Sequence, residues 1–197
     1  ALAQYRERKN AEGQARVLNN MGNVEHQLGR DRRALELHQE ALTLSRQGGG
    51  KENEARSLNT IGQTYYALGE YAKALEYHRQ SLEIRRATGD LPGQGTSLDS
   101  EGRAWHRLGE YDKSLAALNE ALTIRRNIRE QIGEMDTLRN LAAVERDRGH
   151  LSVAGEYIAA AVDLEEALRE RITSPALRTS FVASQQDKYE LFVDILQ

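Results

Sequence analysis

Gly48-Gly49-Gly50-Lys51 is the segment of this 197-residue sequence that most resembles a phosphate-binding loop. Such a loop follows a strand, has a glycine five residues before its Gly-Lys pair, and has serine or threonine after the lysine to reach Mg²⁺. Here Ser45 and Glu52 occupy these two positions, and no strand is expected before them. The sequence therefore predicts no nucleotide cofactor.

The remaining reactive side chains do not form a catalytic or metal-binding pattern. The absence of cysteine excludes disulfides, thiolate catalysis and cysteine-ligated zinc. The five histidines show no His-Glu-x-x-His spacing or comparable cluster. His38 and His78 are equivalent positions of a repeat, and we expect both to be packed against a neighbouring helix. We predict no catalytic residue, no metal site, no cofactor and no enzyme activity within these residues.

Four copies of a repeat supply the elements that would position any binding residues. When the sequence is shifted by 40 residues, leucines and small residues coincide without insertion. A recurring glycine inside a helix, where it costs about 1 kcal/mol relative to alanine, indicates that two helices approach closely. A second glycine after a leucine is typical of a left-handed helix end. These three sets are Leu18, Leu58, Leu98 and Leu138; Gly22, Gly62, Gly102 and Ala142; and Gly29, Gly69, Gly109 and Gly149.

Apolar residues at spacings of three, four and seven predict two amphipathic helices in each repeat, called A and B below. Turns are expected at 48–50 and 88–93. A final helix is expected over 175–196, with Ser174 as its N-cap and Pro175 in its first turn. The eight repeat helices are predicted over 12–28 and 31–47, 51–68 and 71–87, 91–108 and 111–128, and 131–148 and 151–171.

The repeat resembles the tetratricopeptide consensus, which has a large residue, then Leu-Gly, an aromatic residue and two alanines. The length of 40 residues rather than 34 is similar to the longer-helix variety found in kinesin light chains, cell-polarity adaptors and many bacterial multi-repeat proteins. The resemblance implies an all-α, right-handed α-solenoid that binds other proteins. The second repeat carries it best, with Leu58, Ile61, Gly62, Tyr65, Gly69, Tyr71, Ala74 and Ser81.

The predicted domain organisation follows the repeat. Ala1-Leu2 align with Ala41-Leu42, so the sequence is expected to open inside helix B of a preceding repeat. The predicted units are 1–11 as the tail of that helix, 12–50, 51–90, 91–130 and 131–172 as repeats one to four, and 173–197 as a C-terminal capping or linking helix.

Residues 171–192 resemble the helix that joins tetratricopeptide arrays to a caspase-like peptidase domain in bacterial CHAT-domain proteins. The resemblance rests on the run from Arg171 to Phe181 and on Gln186 to Phe192. It implies a regulatory segment whose peptidase domain follows residue 197. A plain capping helix is the alternative, because terminal repeats need an atypical outer face.

In a tetratricopeptide array the A helices line a concave groove, and the repeat alignment selects the residues that face it. Side chains at these spacings share one helical face. Asp136 and Asp147 accompany the set, so six arginines face three aspartates. The predicted peptide-binding groove contains Arg16, Asn19, Asn23, His26, Arg56, Asn59, Gln63, Tyr66, Asp99, Arg103, His106, Arg107, Arg139 and Arg146.

These residue types suit an extended, acidic peptide. Asparagine can pair with both the N–H and the C=O of a ligand backbone, and arginine binds carboxylates with two parallel hydrogen bonds. Resemblance to arrays with an asparagine ladder implies this role for Asn19, Asn23 and Asn59, whereas Asp99 and Arg139 interrupt the ladder.

Three glutamates stand at positions where other repeats carry apolar or aromatic residues. Glu101 aligns with Met21, Ile61 and Leu141, while Glu25 and Glu145 align with Tyr65 and Trp105. A buried carboxylate is costly unless it is paired. We expect each glutamate to reach a neighbouring arginine or the surface; a functional polar pocket is the alternative.

Composition limits the possible partners. The net charge of −3 gives no general attraction to nucleic acid or anionic membrane, and no apolar run is long enough to span a bilayer. We expect a cytoplasmic protein that binds a protein or peptide. The alternatives are regulation of an adjoining peptidase domain and homo-oligomerisation through the ends of the solenoid.

Overall fold

The computed structural model describes residues 2–7 and 10–171, which form helices connected by short turns. The bounds of the eight repeat helices lie within one residue of those predicted from the sequence. The helix expected over 175–196 and most of the segment that resembles CHAT-domain proteins lie outside the described residues. The helices are α1 (Leu2–Glu7), α2 (Ala11–Gln27), α3 (Asp31–Gly48), α4 (Lys51–Ala67), α5 (Tyr71–Thr88), α6 (Leu91–Arg107), α7 (Tyr111–Ile128), α8 (Gln131–Asp147) and α9 (Leu151–Arg171).

The helices stack in sequence order as A and B pairs. Each A helix (α2, α4, α6, α8) packs against the B helix that follows it (α3, α5, α7, α9), and each B helix packs against the next A helix. Successive A helices also contact one another, more extensively than successive B helices do. We call the surface of the A helices that points away from the B helices the inner face. None of the described helices is long and apolar enough to cross a membrane.

Glycines in the left-handed region end most helices and set the tight turns. Gly69 and Gly109 have φ of 78° and 75°, and nothing stands close to the position of their missing Cβ, so they are needed for backbone conformation rather than for space. The B helices α3 and α5 end in the same way at Gly49 and Gly89. In α7 the equivalent position is Arg129, whose φ is 57°.

Replacing Arg129 by glycine is expected to raise the free energy of unfolding by about 1 kcal/mol. An L-residue in the left-handed region carries a cost of roughly this size, which glycine does not. Arg129 is exposed and forms no ion pair with a described residue, so little else is lost. Urea unfolding of Arg129→Gly and Arg129→Ala measures the effect. Equal stability of the two variants would show that φ at this position carries no strain.

Glycines inside the A helices allow close packing against B helices, as predicted. A Cβ on Gly22 or Gly62 would lie 2.5 or 2.6 Å from the ring of His38 or His78. On Gly102 it would lie 2.5 Å from Cγ of Leu118. Each of these glycines makes room for one large side chain of its own repeat, so that helices A and B can approach closely.

The sizes of facing side chains also compensate for one another where each B helix packs against the next A helix. A Cβ added at three glycines near the starts of A helices would overlap a large side chain near the end of the preceding B helix. Where that side chain is small, the A helix carries asparagine instead of glycine. The pairs are Tyr5 with Gly13, Ser45 with Asn53, Arg85 with Gly93, and Arg125 with Gly133.

Candidate functional site

The inner face carries most of the residues predicted to line a groove. Four of the predicted residues are instead buried or engaged in ion pairs within the stack, and these are treated below. The residues that lie at least partly exposed on the inner face are Arg16, Asn23, His26, Arg56, Gln63, Tyr66, Arg103, His106, Arg107 and Arg146.

The prediction that Asn19 and Asn59 contact a ligand backbone is wrong for this structure. Asn19 is 1% exposed; its Oδ1 lies 3.2 Å from His38 Nδ1, and its amide nitrogen donates to Ser57 Oγ. Asn59 is bound in the same way to His78 Nδ1, at 3.1 Å. The amides therefore satisfy the buried imidazoles and hold helices A and B together. Asn23 alone of the three asparagines remains exposed.

Burial lowers the pKa of both histidines, to about 4 for His38 and to about 3 for His78. A nearby positive or titratable group adds to the effect, His26 in the first case and Arg103 followed by Arg85 in the second. The two side chains are packed against the A helices of their own repeats, as the sequence predicted. No group of three or more potential metal ligands occurs among the described residues.

Asp99 and Arg139, also predicted as groove residues, form ion pairs within their own repeats. Asp99 Oδ2 accepts from Arg125 and, at 3.1 Å, from the hydroxyl of Thr137. Burial raises the pKa of the Asp99 carboxyl, against the opposite effect of Arg125. Arg139 binds Glu165 Oε2 at 2.8 Å and Asp136 at 3.4 Å. Both arginines are thus held by carboxylates.

The two ion pairs occupy equivalent positions with opposite polarity. In the third repeat the A helix carries the acid and the B helix the base, and in the fourth repeat this order is reversed. The B-helix partners of these residues were not predicted, because only residues of the A helices were expected to line the groove. The signal was available in the 40-residue alignment, in which Asn19, Asn59, Asp99 and Arg139 accompany Ser45, Arg85, Arg125 and Glu165.

Glu101 is the one of the three unusual glutamates that lacks a close ion pair. It is 7% exposed, its Oε1 has no hydrogen-bond partner, and Arg79 Nε lies 4.0 Å from its Oε2. Burial raises its pKa to about 7, against the opposing effects of Arg79 and Arg86. Glu25 and Glu145 reach Arg30 and Arg148, both at 3.3 Å, as the sequence predicted.

Replacing Glu101 by leucine is expected to stabilise the chain by about 1–3 kcal/mol at pH 8, because leucine needs no partner in this buried position. A carboxyl whose pKa is raised on folding lowers the free energy of unfolding as the pH rises from about 4.5 to about 7. The gain should therefore be small at pH 5. Denaturant unfolding at both pH values measures it, and a gain that does not grow with pH would contradict this account.

Three pockets follow one another along the inner face. The N-terminal pocket, of about 400 Å³, is lined by two arginines and two glutamates: Arg16, Arg56, Glu12 and Glu52. The C-terminal pocket, of about 490 Å³, lies beside the Asp99 and Arg139 ion pairs and also includes Arg103. The central pocket, of about 410 Å³, is lined by His26, Gln63, Tyr66, Ala67, His78, Ser100 and Arg103. No carboxylate lines the central pocket.

Two arginines beside the central pocket are held by tyrosine rings. The guanidinium carbon of Arg103 lies 4.7 Å from the ring centre of Tyr66, and that of Arg107 lies 5.3 Å from that of Tyr71. Arg107 Nε also donates to the Tyr71 hydroxyl at 3.1 Å. The two rings meet edge to face at 5.2 Å. We call these four residues the Arg–Tyr cluster.

A polar bridge joins the third and fourth repeats at the C-terminal ends of helices α6 and α8. His106 Nε2 lies 2.8 Å from Asp147 Oδ2, and Arg146 Nε lies 2.9 Å from Asp147 Oδ1. These contacts hold the pKa of Asp147 below its usual range, against the opposing effect of burial. Arg139 and Arg146 of the fourth repeat therefore have carboxylate partners, whereas no described carboxylate pairs with Arg103 or Arg107.

Comparison with known proteins agrees with this architecture. Residues 13–87 match the tetratricopeptide repeat family. The structure of BtubC from P. vanneervenii is similar, with a TM-score of 0.72 and 21% identity over 84% of this chain and 68% of that one. The structure of the apo form of RapI is similar with a TM-score of 0.77 and 18% sequence identity, over 98% of this chain and 71% of that one. The structure of a putative kinesin light chain from Podosopora anserina has a TM-score of 0.66 and 18% sequence identity, over 91% of this chain and 92% of that one.

No curated protein sequence matches the chain significantly. The structural similarities, all at low identity, establish the fold, and they confirm the α-solenoid of tetratricopeptide repeats predicted from the sequence.

Proposed function

We propose that this chain is a protein-interaction module that holds an extended, acidic segment of a partner protein against its inner face. The observation that carries the proposal is the unequal pairing of the arginines. Those inside the stack, such as Arg125 and Arg139, are neutralised by carboxylates. Arg103 and Arg107 are exposed on the inner face and contact tyrosine rings, with no described carboxylate as partner.

The shape of the inner face supports an extended ligand. Its three pockets lie along consecutive A helices, and the central and C-terminal pockets share Gln63, Ser100 and Arg103. A segment in extended conformation advances about 3.3 Å per residue and can therefore contact several repeats at once. The cysteine-free composition suits a reducing compartment, and we propose a cytoplasmic setting.

Site-specific cross-linking in a cell extract tests the proposal. A photoreactive residue placed at Gln63, on the inner face, is expected to capture a partner whose cross-linked peptide is rich in Asp and Glu. The control is the same residue at Arg32, an exposed position of helix α3. Capture from position 32 alone would refute the inner face as the binding surface.

Self-association is a second candidate, favoured by one observation at the first repeat. Met21 and Val24 are 43% and 54% exposed, whereas the equivalent Ile61 and Val144 are fully buried against a preceding B helix. An exposed apolar surface of this kind can receive a second copy of the chain. Light scattering at two concentrations tests this, and a monomer at both would exclude it. Regulation of an adjoining peptidase domain stays a prediction, because residues 173–197 lie outside the described part.

A further inference from the structure

The central pocket contains several hydrogen-bond donors that nothing in the described chain uses. Arg103 reaches it with a guanidinium whose face lies against the ring of Tyr66 and whose N–H groups make no hydrogen bond to another described residue. Gln63 adds an amide and Ser100 a hydroxyl, neither bonded to another described group. A ligand with many acceptor oxygens would satisfy all three side chains.

Charge distinguishes this pocket from its two neighbours. Carboxylates line the N-terminal and C-terminal pockets, where they already pair with arginines of the same pockets, as Glu52 does with Arg56 and Asp99 with Arg125. The central pocket has none, and Arg107 of the Arg–Tyr cluster adds a second cation one helical turn beyond Arg103. An anion in the central pocket would therefore meet the Arg103 guanidinium with no carboxylate in the pocket lining, although Asp31 pairs with His26, one of the lining residues.

Stacking on tyrosine prepares both arginines for binding. Cation–π contact restricts a guanidinium to a plane while its N–H groups stay available at the edge. The two rings touch, so Arg103 and Arg107 belong to one rigid unit formed by the second and third repeats. An anion bound here loses less free energy in ordering side chains than it would at two freely moving arginines.

We infer that the central pocket binds a phosphoryl group carried by a side chain of the partner segment. A phosphoryl group carries a charge of about −1.5 to −2 and three acceptor oxygens, which match two arginines with the neighbouring amide and hydroxyl. A single carboxylate offers half the charge and fewer acceptor sites. The location of this site on the inner face rests on the proposed function. The preference for a phosphoryl group over a carboxylate is a separate claim, since an acidic partner can bind without phosphate.

Inorganic phosphate and acetate are the first probes, at constant ionic strength, with the full chain labelled with ¹⁵N. Phosphate is expected to shift the Arg103 Nε–H signal and the Gln63 amide saturably, about tenfold more tightly than acetate. Arg103→Gln should abolish saturation, and Arg32→Gln, on an exposed part of α3, should leave it unchanged. Equal affinity for the two anions, or linear shifts spread over the surface arginines, would overturn the inference.

Three fluorescent peptides that differ at one residue give the second test. A peptide with phosphoserine is expected to bind at least about tenfold more tightly than the glutamate or serine form. Tyr66→Leu should reduce this ratio while it leaves every charge in place. Equal binding of the phosphoserine and glutamate peptides would overturn the phosphoryl preference and leave the acidic groove standing. Binding that is independent of Arg103 would contradict both the phosphoryl preference and the acidic groove.

Discussion

Replacing Arg125 by methionine is expected to lower the free energy of unfolding by about 3–5 kcal/mol at pH 7. Arg125 is 5% exposed and lies between Asp99 and Glu130, to which it donates at 2.7 Å. Without it Asp99 remains as a buried carboxylate with only Thr137 as a donor. The loss of one partner of a buried pair carries this cost because the other charge is left uncompensated.

Two comparisons separate the lost ion pair from lost packing. The double variant Asp99→Leu/Arg125→Met removes both charges and is expected to recover most of the stability, because an apolar pair of similar volume needs no compensation. The single variant should also recover as the pH falls, since burial already raises the pKa of Asp99 and a protonated carboxyl needs no cation. A double variant as unstable as Arg125→Met would show that arginine acts by filling space.

Acidification from pH 6.5 to 4 is expected to destabilise the chain through His38 and His78. Their pKa values are lowered on folding, so the unfolded chain binds more protons over this range. Each histidine then lowers the free energy of unfolding by up to about 1.4 kcal/mol per pH unit, which amounts to about 3 kcal/mol for each histidine over this range. Glu101 and Asp99, whose pKa values are raised on folding, oppose this effect because each stabilises the folded chain as the pH falls.

Variants isolate the histidines in this measurement. His78→Leu introduces the residue found at the equivalent position Leu118 and is expected to reduce the dependence of stability on pH, even if it leaves Asn59 without a partner. His150→Gln, which replaces a histidine that is 52% exposed, is the control for loss of an imidazole. Urea unfolding at half-unit pH steps gives the slopes. Identical slopes for the three proteins would contradict the assignment.

Helix bounds could be predicted from the sequence because local chemistry determines them. Gly69 and Gly109 end A helices through their own φ, and Asp90 caps α6 by accepting from Gly93 N–H at 3.0 Å. Equivalent positions of the repeat adopt the same local structure, so a helix end that is clear in one copy predicts the helix ends in the others. Arg129 shows the limit, because an arginine occupies a position that the alignment assigns to glycine.

The residues that line the groove could be predicted only in part. Whether an A-helix side chain is exposed or buried depends on the B-helix residue that it contacts. Asn19 and Asn59 share the helical face of exposed residues, yet His38 and His78 attract them into the stack. The exchange of polarity between the Asp99 and Arg139 pairs requires knowledge of B-helix residues that face inward. Arg103 and Arg107 are exposed on helix α6, and their part in binding stays a prediction. Their tyrosine contacts join different repeats and leave no signal in the sequence.

Fluorescence anisotropy with an acidic nonapeptide tests the central claim most directly. The full chain is compared with Arg103→Glu/Arg107→Glu and with Arg32→Glu/Arg33→Glu, which makes the same charge change on exposed positions of α3. If the inner face holds acidic segments, the first variant should bind at least about tenfold more weakly than wild type, and the second about equally. Equal weakening of both variants would show that binding depends on the net charge of the chain and not on the position of the arginines. Unchanged binding by the first variant would contradict the proposed site.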